Sequence, residues 1–198
     1  MKRFIYLFVV FSMIFSSTLV FSDSIHSSSP NGEARMGVVY LFQKTEAPYA
    51  PWPIVQGGAW GMMRYSLWGD AFNFHFKGRK LQPGVSYTLI YYPDPWPGNN
   101  LICLGSVVAN EDGNIRIADH NFDIQTSLPA PDDANFVPAY PSGAVGAKIW
   151  LVLSSDVDCE GDQQADPPID PQMIGWNPDQ YLFECNLINF EYQGQVQH

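Results

Sequence analysis

The sequence predicts an all-β domain, an antiparallel two-sheet β-sandwich of immunoglobulin-like or jelly-roll-like type, with about eight or nine strands and minimal helix. Three observations predict it. Several stretches alternate apolar and polar residues with a period of two, as a strand buried on one side requires. The 198-residue chain has 16 Gly, 16 Pro and 15% aromatic residues, a profile of many turns around a core of large rings. No stretch keeps a helical period over three turns. Its length fits one domain, placed at residues 37–198.

Taken in order, the chain opens with Lys2 and Arg3, an apolar run over residues 4–20 and small residues before Asp23. That pattern describes a secretory signal peptide at 1–22, cut after Ser22. The alternative, an uncleaved anchor, sits at the lower limit of the ~17–25 residues that span a bilayer, and Ser12, Ser16 and Ser17 weaken it. Residues 23–36 are polar and Ser-rich and read as a flexible tether. Residues 37–43 (GVVYLFQ) form a first strand. Pro48, Pro51 and Pro53 make 46–58 an extended loop. Residues 60–68 form the next strand, and Trp68-Gly69-Asp70 reads as a tight hairpin into 71–77. There Phe72, Phe74 and Phe76 oppose Asn73, His75 and Lys77. His75 lies on the polar face with no second His near it in sequence, so it reads as a solvated strand residue.

Residues 85–117 read as three consecutive antiparallel strands, separated by the Pro/Gly/Asn loop 93–100 and the Asp112-Gly113 turn. Residues 147–154 (AKIWLVLS) are almost continuously apolar, as in a strand buried on both faces. Residues 156–172 form a long acidic loop, and 180–192 reads as one closing strand.

Charge narrows the partners. The chain has 10 basic and 20 acidic residues and a net charge of −10, and loss of Lys2 and Arg3 with the leader makes it more negative still. Such a chain is poorly suited to nucleic acid or to anionic membrane surfaces. It suits a secreted or cell-surface protein, with no membrane after signal cleavage, whose partner is an extracellular protein or glycan.

Three cysteines allow at most one intrachain bridge. Cys159, in the acidic loop, pairs with Cys103 or with Cys185, and Cys103–Cys159 is the pairing adopted. Cys185 shares the apolar phase of Tyr181 and Phe183, which predicts a buried, inert thiol.

Two loops hold candidate sites. Asp156, Asp158, Glu160 and Asp162 alternate, with Gly161 at the sixth position, like the opening of a calcium loop. The twelfth position, however, is Pro167 where that loop has Glu. In the loop 93–100, Trp96 stands between two prolines beside Asp94 and Asn99, and Trp52 likewise stands between Pro51 and Pro53. Such indoles either plug the end of a core or, if exposed, stack on a sugar ring. No nucleophile elbow, zinc-binding or phosphate-loop motif is present, so no catalytic residue is assigned.

The run L-x-P-G-x-x-Y-T-L (Leu81 to Leu89), then Gly105 and Asp112-Gly113, resembles a pattern common in secreted prokaryotic immunoglobulin-like sandwich domains. The strings YTLIYYPDPWPGNNLICLG, AKIWLVLSSDVDC and GWNPDQYLFE resemble an uncharacterised family of exported archaeal and bacterial proteins. The resemblance implies a β-sandwich outside the cell and brings no activity. The functional expectation is therefore a non-catalytic structural or interaction domain. A calcium-stabilised glycan-binding module and a carboxylate-pair hydrolase are the alternatives.

Overall fold

The computed structural model describes residues 35–45, 52–134 and 146–194. The expected leader and all but the last two residues of the expected tether lie outside the described residues. Twelve strands follow in order: β1 (Met36–Phe42), β2 (Trp60–Ser66), β3 (Trp68–Gly69), β4 (Phe72–Arg79), β5 (Ser86–Tyr92), β6 (Ile102–Val108), β7 (Ile115–Phe122), β8 (Lys148–Leu153), β9 (Val157–Asp158), β10 (Gln172–Met173), β11 (Leu182–Glu184) and β12 (Glu191–Tyr192). Among the described residues there is no α-helix; short 3-10 turns occur at Ser154–Asp156 and Pro178–Gln180.

Eight strands form one sheet in the order β6-β5-β8-β11-β1-β2-β4-β7, and every neighbouring pair is antiparallel. The two ends, β6 and β7, come against each other, so the sheet is nearly closed like a barrel. The all-β, antiparallel expectation holds. The hydrogen bonds join the eight strands into one curled sheet where two packed sheets were expected. A bulge helps it curl: Leu89 pairs with Gly105 and Ile90 with Cys103, leaving Leu104 without a partner in register, and such an extra residue bends a strand. Gly105 has φ +151°, and a Cβ there would lie 2.7 Å from Ile117 Cγ2 across the seam. Only glycine permits that approach.

The interior is filled from all sides. Phe72, Phe74 and Phe76 are 0%, 1% and 0% exposed and meet Leu41, Met63, Leu89, Tyr91 and Leu151 in one cluster. Burying one such side chain is worth roughly 1.5–3 kcal/mol. The outward faces differ around the barrel. Along β2, β4 and β7 burial alternates, as a strand with one wet side requires. Along β5 and β8 nearly every residue is buried, because loops carrying aromatic rings cover their outer face.

Four expectations are corrected. The third of the strands expected in 85–117 does not pair with the second: β7 pairs with β4, and the turn at 110–114 crosses the barrel seam. The expected hairpin forms, β2 pairing antiparallel with β4, but its turn is not tight: it holds the two-residue strand β3, which runs parallel to β12. The expected closing strand 180–192 is broken because its partners change, from β8 and β1 at β11 to Ala147 at Ile188, Leu128 at Phe190 and then β3. Cys185 lies just past the end of β11 and is exposed, not buried.

The Cys103–Cys159 bridge is formed, across 56 residues of chain, and ties the acidic loop to the outer face of β6. A loop of that length limits the unfolded chain by about 4 kcal/mol in the entropic account. Replacing both Cys103 and Cys159 by Ser is expected to cost about 2–4 kcal/mol of stability. Urea denaturation followed by circular dichroism measures it, and an unchanged midpoint would refute the structural role.

Candidate functional site

Outward-facing residues of β5 and β8 begin the site. Tyr92 is opposite Lys148, and Ile90 is opposite Trp150. The Tyr92 and Trp150 rings stack with centroids 3.9 Å apart, and Phe183 of β11 meets Trp150 edge-on at 5.2 Å. Three loop indoles close over this floor. Trp176 lies 5.9 Å from Trp52, 5.5 Å from Trp96 and 6.1 Å from Trp150, all by ring centroids. Trp52, Tyr92, Trp96, Trp150 and Trp176, together with Asp94 and Lys148, line an open groove of about 560 Å³. Four of the six tryptophans of the chain are in it.

The indoles are not simply core plugs. Trp96 is 52% exposed and Trp176 37%, while Trp52 is half-buried against Phe183. In the wall, Lys148 Nζ donates to Asp94 Oδ2 in an ion pair and sits 5.9 Å from the centre of the Tyr92 ring. The groove thus offers flat apolar faces beside one donor and one acceptor whose charges cancel. Trp150 Nε1 is buried and has no hydrogen-bond partner among the described residues.

Two buried carboxylates hold the loops. Asp133 is 0% exposed; Tyr91 Oη donates to its Oδ2 at 2.8 Å, and the Asp94 amide donates to its Oδ1 at 3.0 Å. That fixes the entry to the Trp96 loop. Asp156 is 6% exposed and accepts hydrogen bonds from Tyr181 Oη, Asn177 Nδ2 and Ser155 Oγ. Its carbonyl accepts from the Ile174 and Gly175 amides, which fixes the turn carrying Trp176. Burial pushes the Tyr91 and Tyr181 phenols well above the ordinary tyrosine range, and the neighbouring carboxylates push the same way. Both therefore stay protonated donors. The loops are also joined to each other, Met173 N donating to Pro97 O at 2.9 Å. Gly98 (φ +79°) lies so close beneath that a Cβ would fall 2.5 Å from the Tyr92 ring.

The sequence candidates divide accordingly. Trp96, Trp52 and Asp94 are brought together. Asn99 is exposed on the same loop but does not line the groove. The four acidic residues of the calcium-like stretch do not converge. Asp156 is committed to Tyr181 and Asn177, Asp158 Oδ1 accepts from the Glu160 and Gly161 amides, and Asp162 Oδ1 accepts from Gln164 and Ala165. Among the described residues no three His, Cys, Asp or Glu side chains form a cluster able to hold a metal ion. Sequence reasoning passed over Tyr92, Lys148 and Trp150, whose outward alternation on strands apolar on both faces was the available signal. Asp133, inside a Pro-rich stretch, left no pattern at all.

Comparison with protein-family models, with characterised proteins and with solved structures gives no match.

Two predictions test this construction. Asp156→Ala leaves the Tyr181 hydroxyl and the Asn177 amide without their acceptor, and is expected to cost about 2–4 kcal/mol. Chemical denaturation measures the loss, and a change below ~0.5 kcal/mol would remove Asp156 from the framework. The second concerns Glu184, at the end of β11, whose Oε2 is shielded from solvent and lacks a hydrogen-bond partner among the described residues. Burial pushes its carboxyl up to about 7, against the pull of Lys44, Lys148 and the nearby Trp150 indole. The folded protein holds this proton more tightly than the unfolded chain, whose value is 4.5. Stability from this group is thus lost as pH rises from about 4.5 to about 7. The melting midpoint of Glu184→Gln is expected to gain on that of the unaltered protein through that window and to stay ahead above it. Parallel curves from pH 4 to 8 would contradict the assignment.

Proposed function

We propose that this protein is a secreted or cell-surface, non-catalytic β domain that binds neutral glycans in the aromatic groove. One observation carries the reading: Trp52, Trp96 and Trp176 converge on a single open groove and leave ring area exposed to solvent. Sugar rings present C–H faces that lie against indoles and hydroxyls that pair with donors and acceptors at the rim. Asp94 and Lys148 supply one of each, and because they neutralise each other they favour an uncharged partner. Among the described residues Asp94 is the one carboxylate lining the groove, so no opposed pair of described carboxylates for glycoside hydrolysis frames it.

The extracellular setting is supported by the leader pattern, by the acidity of the chain and by the Cys103–Cys159 bridge, since such bridges persist in oxidising compartments. The absence of a helix long and apolar enough to cross a membrane among the described residues is compatible with it.

The test is titration with neutral oligosaccharides, read by tryptophan fluorescence and calorimetry. Trp96→Ala and Trp176→Ala are each expected to weaken binding about tenfold, with Trp96→Ala leaving the melting midpoint unchanged because that ring is half in solvent. Failure of a neutral glycan array to yield any ligand, or equal affinity in both variants, would overturn the reading.

A further inference from the structure

On the opposite stretch of the sheet from the aromatic groove, β2, β4 and β7 carry a second surface of different chemistry. Their outward positions hold Arg64, His75, Lys77, Arg79, Arg116 and His120. The register sets Arg64 opposite His75, and Lys77 opposite Arg116. Arg64, Arg79 and Arg116 are exposed, and Lys77 partly so. Ten basic residues in all face 20 acidic ones in this chain, so a block of four on three adjacent strands is a strong segregation of charge. Among the described residues none of the four cations is in an ion pair. Their mutual field is felt within the patch: desolvation first, then Lys77, Arg116, His120 and Arg64, hold the His75 imidazole below its usual value. Lys77, Arg79 and Arg116 also wall a groove of about 500 Å³ that continues over Val108, Asn110 and Asn114 at the barrel seam.

We propose that this face binds an acidic polysaccharide, through carboxylate or sulfate groups set against Lys77, Arg79 and Arg116. A cluster of cations held in no ion pair among the described residues, on an otherwise acidic protein, selects for an anion. Screening confines its field to about 8 Å at physiological ionic strength, so the acidic remainder of the chain does not cancel it. Guanidinium forks match carboxylates and sulfates bidentately. The cations form a row across a sheet and along a groove, which suits an extended chain of spaced charges more than a compact ion. Among the described residues no aromatic side chain lines this groove, so they offer no stacking platform of the kind on which single-stranded nucleic acid binds. The surface is separate from the aromatic groove and does not depend on the reading given to it.

The test presents the purified protein with polygalacturonate, dextran sulfate, neutral dextran, polyglutamate and duplex DNA at equal charge or mass. Binding to the two acidic polysaccharides is expected, with none to neutral dextran. It should weaken steeply with added salt and fall about tenfold or more in the triple variant Lys77→Ala, Arg79→Ala, Arg116→Ala. These side chains reach into solvent, so an unchanged far-ultraviolet spectrum and melting midpoint identify the loss as one of contacts; single variants serve if the triple one unfolds. Trp96→Ala should bind the acidic polymers normally. No binding to either acidic polysaccharide, or equal binding in the cation variants, would overturn the proposal. Binding to polyglutamate or DNA as tight as to the polysaccharides would overturn the choice of partner.

Discussion

Hydrogen bonds to two buried carboxylates, Asp133 and Asp156, hold together everything that distinguishes this barrel from a plain one. A carboxylate taken out of water is costly unless donors converge on it. Here they do: a tyrosine hydroxyl from the barrel wall reaches each, Tyr91 to Asp133 and Tyr181 to Asp156. A tyrosine fits this role because its ring packs with the core while its hydroxyl extends to the rim. Each aspartate also takes a donor from the loop it restrains, the Asp94 amide in one case and the Asn177 amide group in the other. Neither loop has regular structure of its own around its tryptophan, so without these anchors the indoles of Trp96 and Trp176 would have many arrangements. Order at the groove therefore originates in the core, and a groove ordered beforehand loses less entropy when it is filled.

The second consequence is the asymmetry of the barrel. Where loops are pinned over β5, β8 and β11, the sheet has a covering on its outer side, and both faces of those strands are largely buried. Where no loop is pinned, over β2, β4 and β7, the outer face must meet water, and it does so with charge. The same chain thus contains strands that read as buried twice and strands that read as buried once. The Cys103–Cys159 bridge is part of the covering, because Cys103 faces outward beside Ile90. It holds the acidic loop against the outer face of β6.

This division explains what could be read in the sequence. Period-two alternation in 71–77 is a direct image of β4, so its inward phenylalanines were legible, as were the strands flanking it. The pairing of strands was not, since alternation records which side a residue faces and not which strand lies beside it. The closure of one sheet rests on a bulge at Leu104 and on Gly105, both invisible without the partner strand. Trp52 and Trp96 stood out by their flanking prolines, whereas Trp150 looked like one apolar residue among many. The acidic loop shows how residue types mislead. Alternating aspartates suit a calcium loop, but an aspartate side chain also accepts from the amides two and three residues on, and Asp158 and Asp162 do that here.

The two surfaces differ in what would drive binding, and the difference follows from how each treats charge. In the aromatic groove Lys148 and Asp94 neutralise each other, and the neighbouring rings exclude water. Attraction there must come from ring faces and a few directed hydrogen bonds, which depend little on salt. On the β2-β4-β7 face the cations are in no ion pair among the described residues and reach solvent, so attraction must be Coulombic, of short range and sensitive to ionic strength. Both surfaces are arranged on one continuous sheet, whose strands hold the outward side chains at fixed spacings. A barrel that covers one stretch of its wall with rings and leaves another charged thus presents two surfaces of different chemistry, and the two proposed ligands, one neutral and one acidic, would not compete for the same contacts.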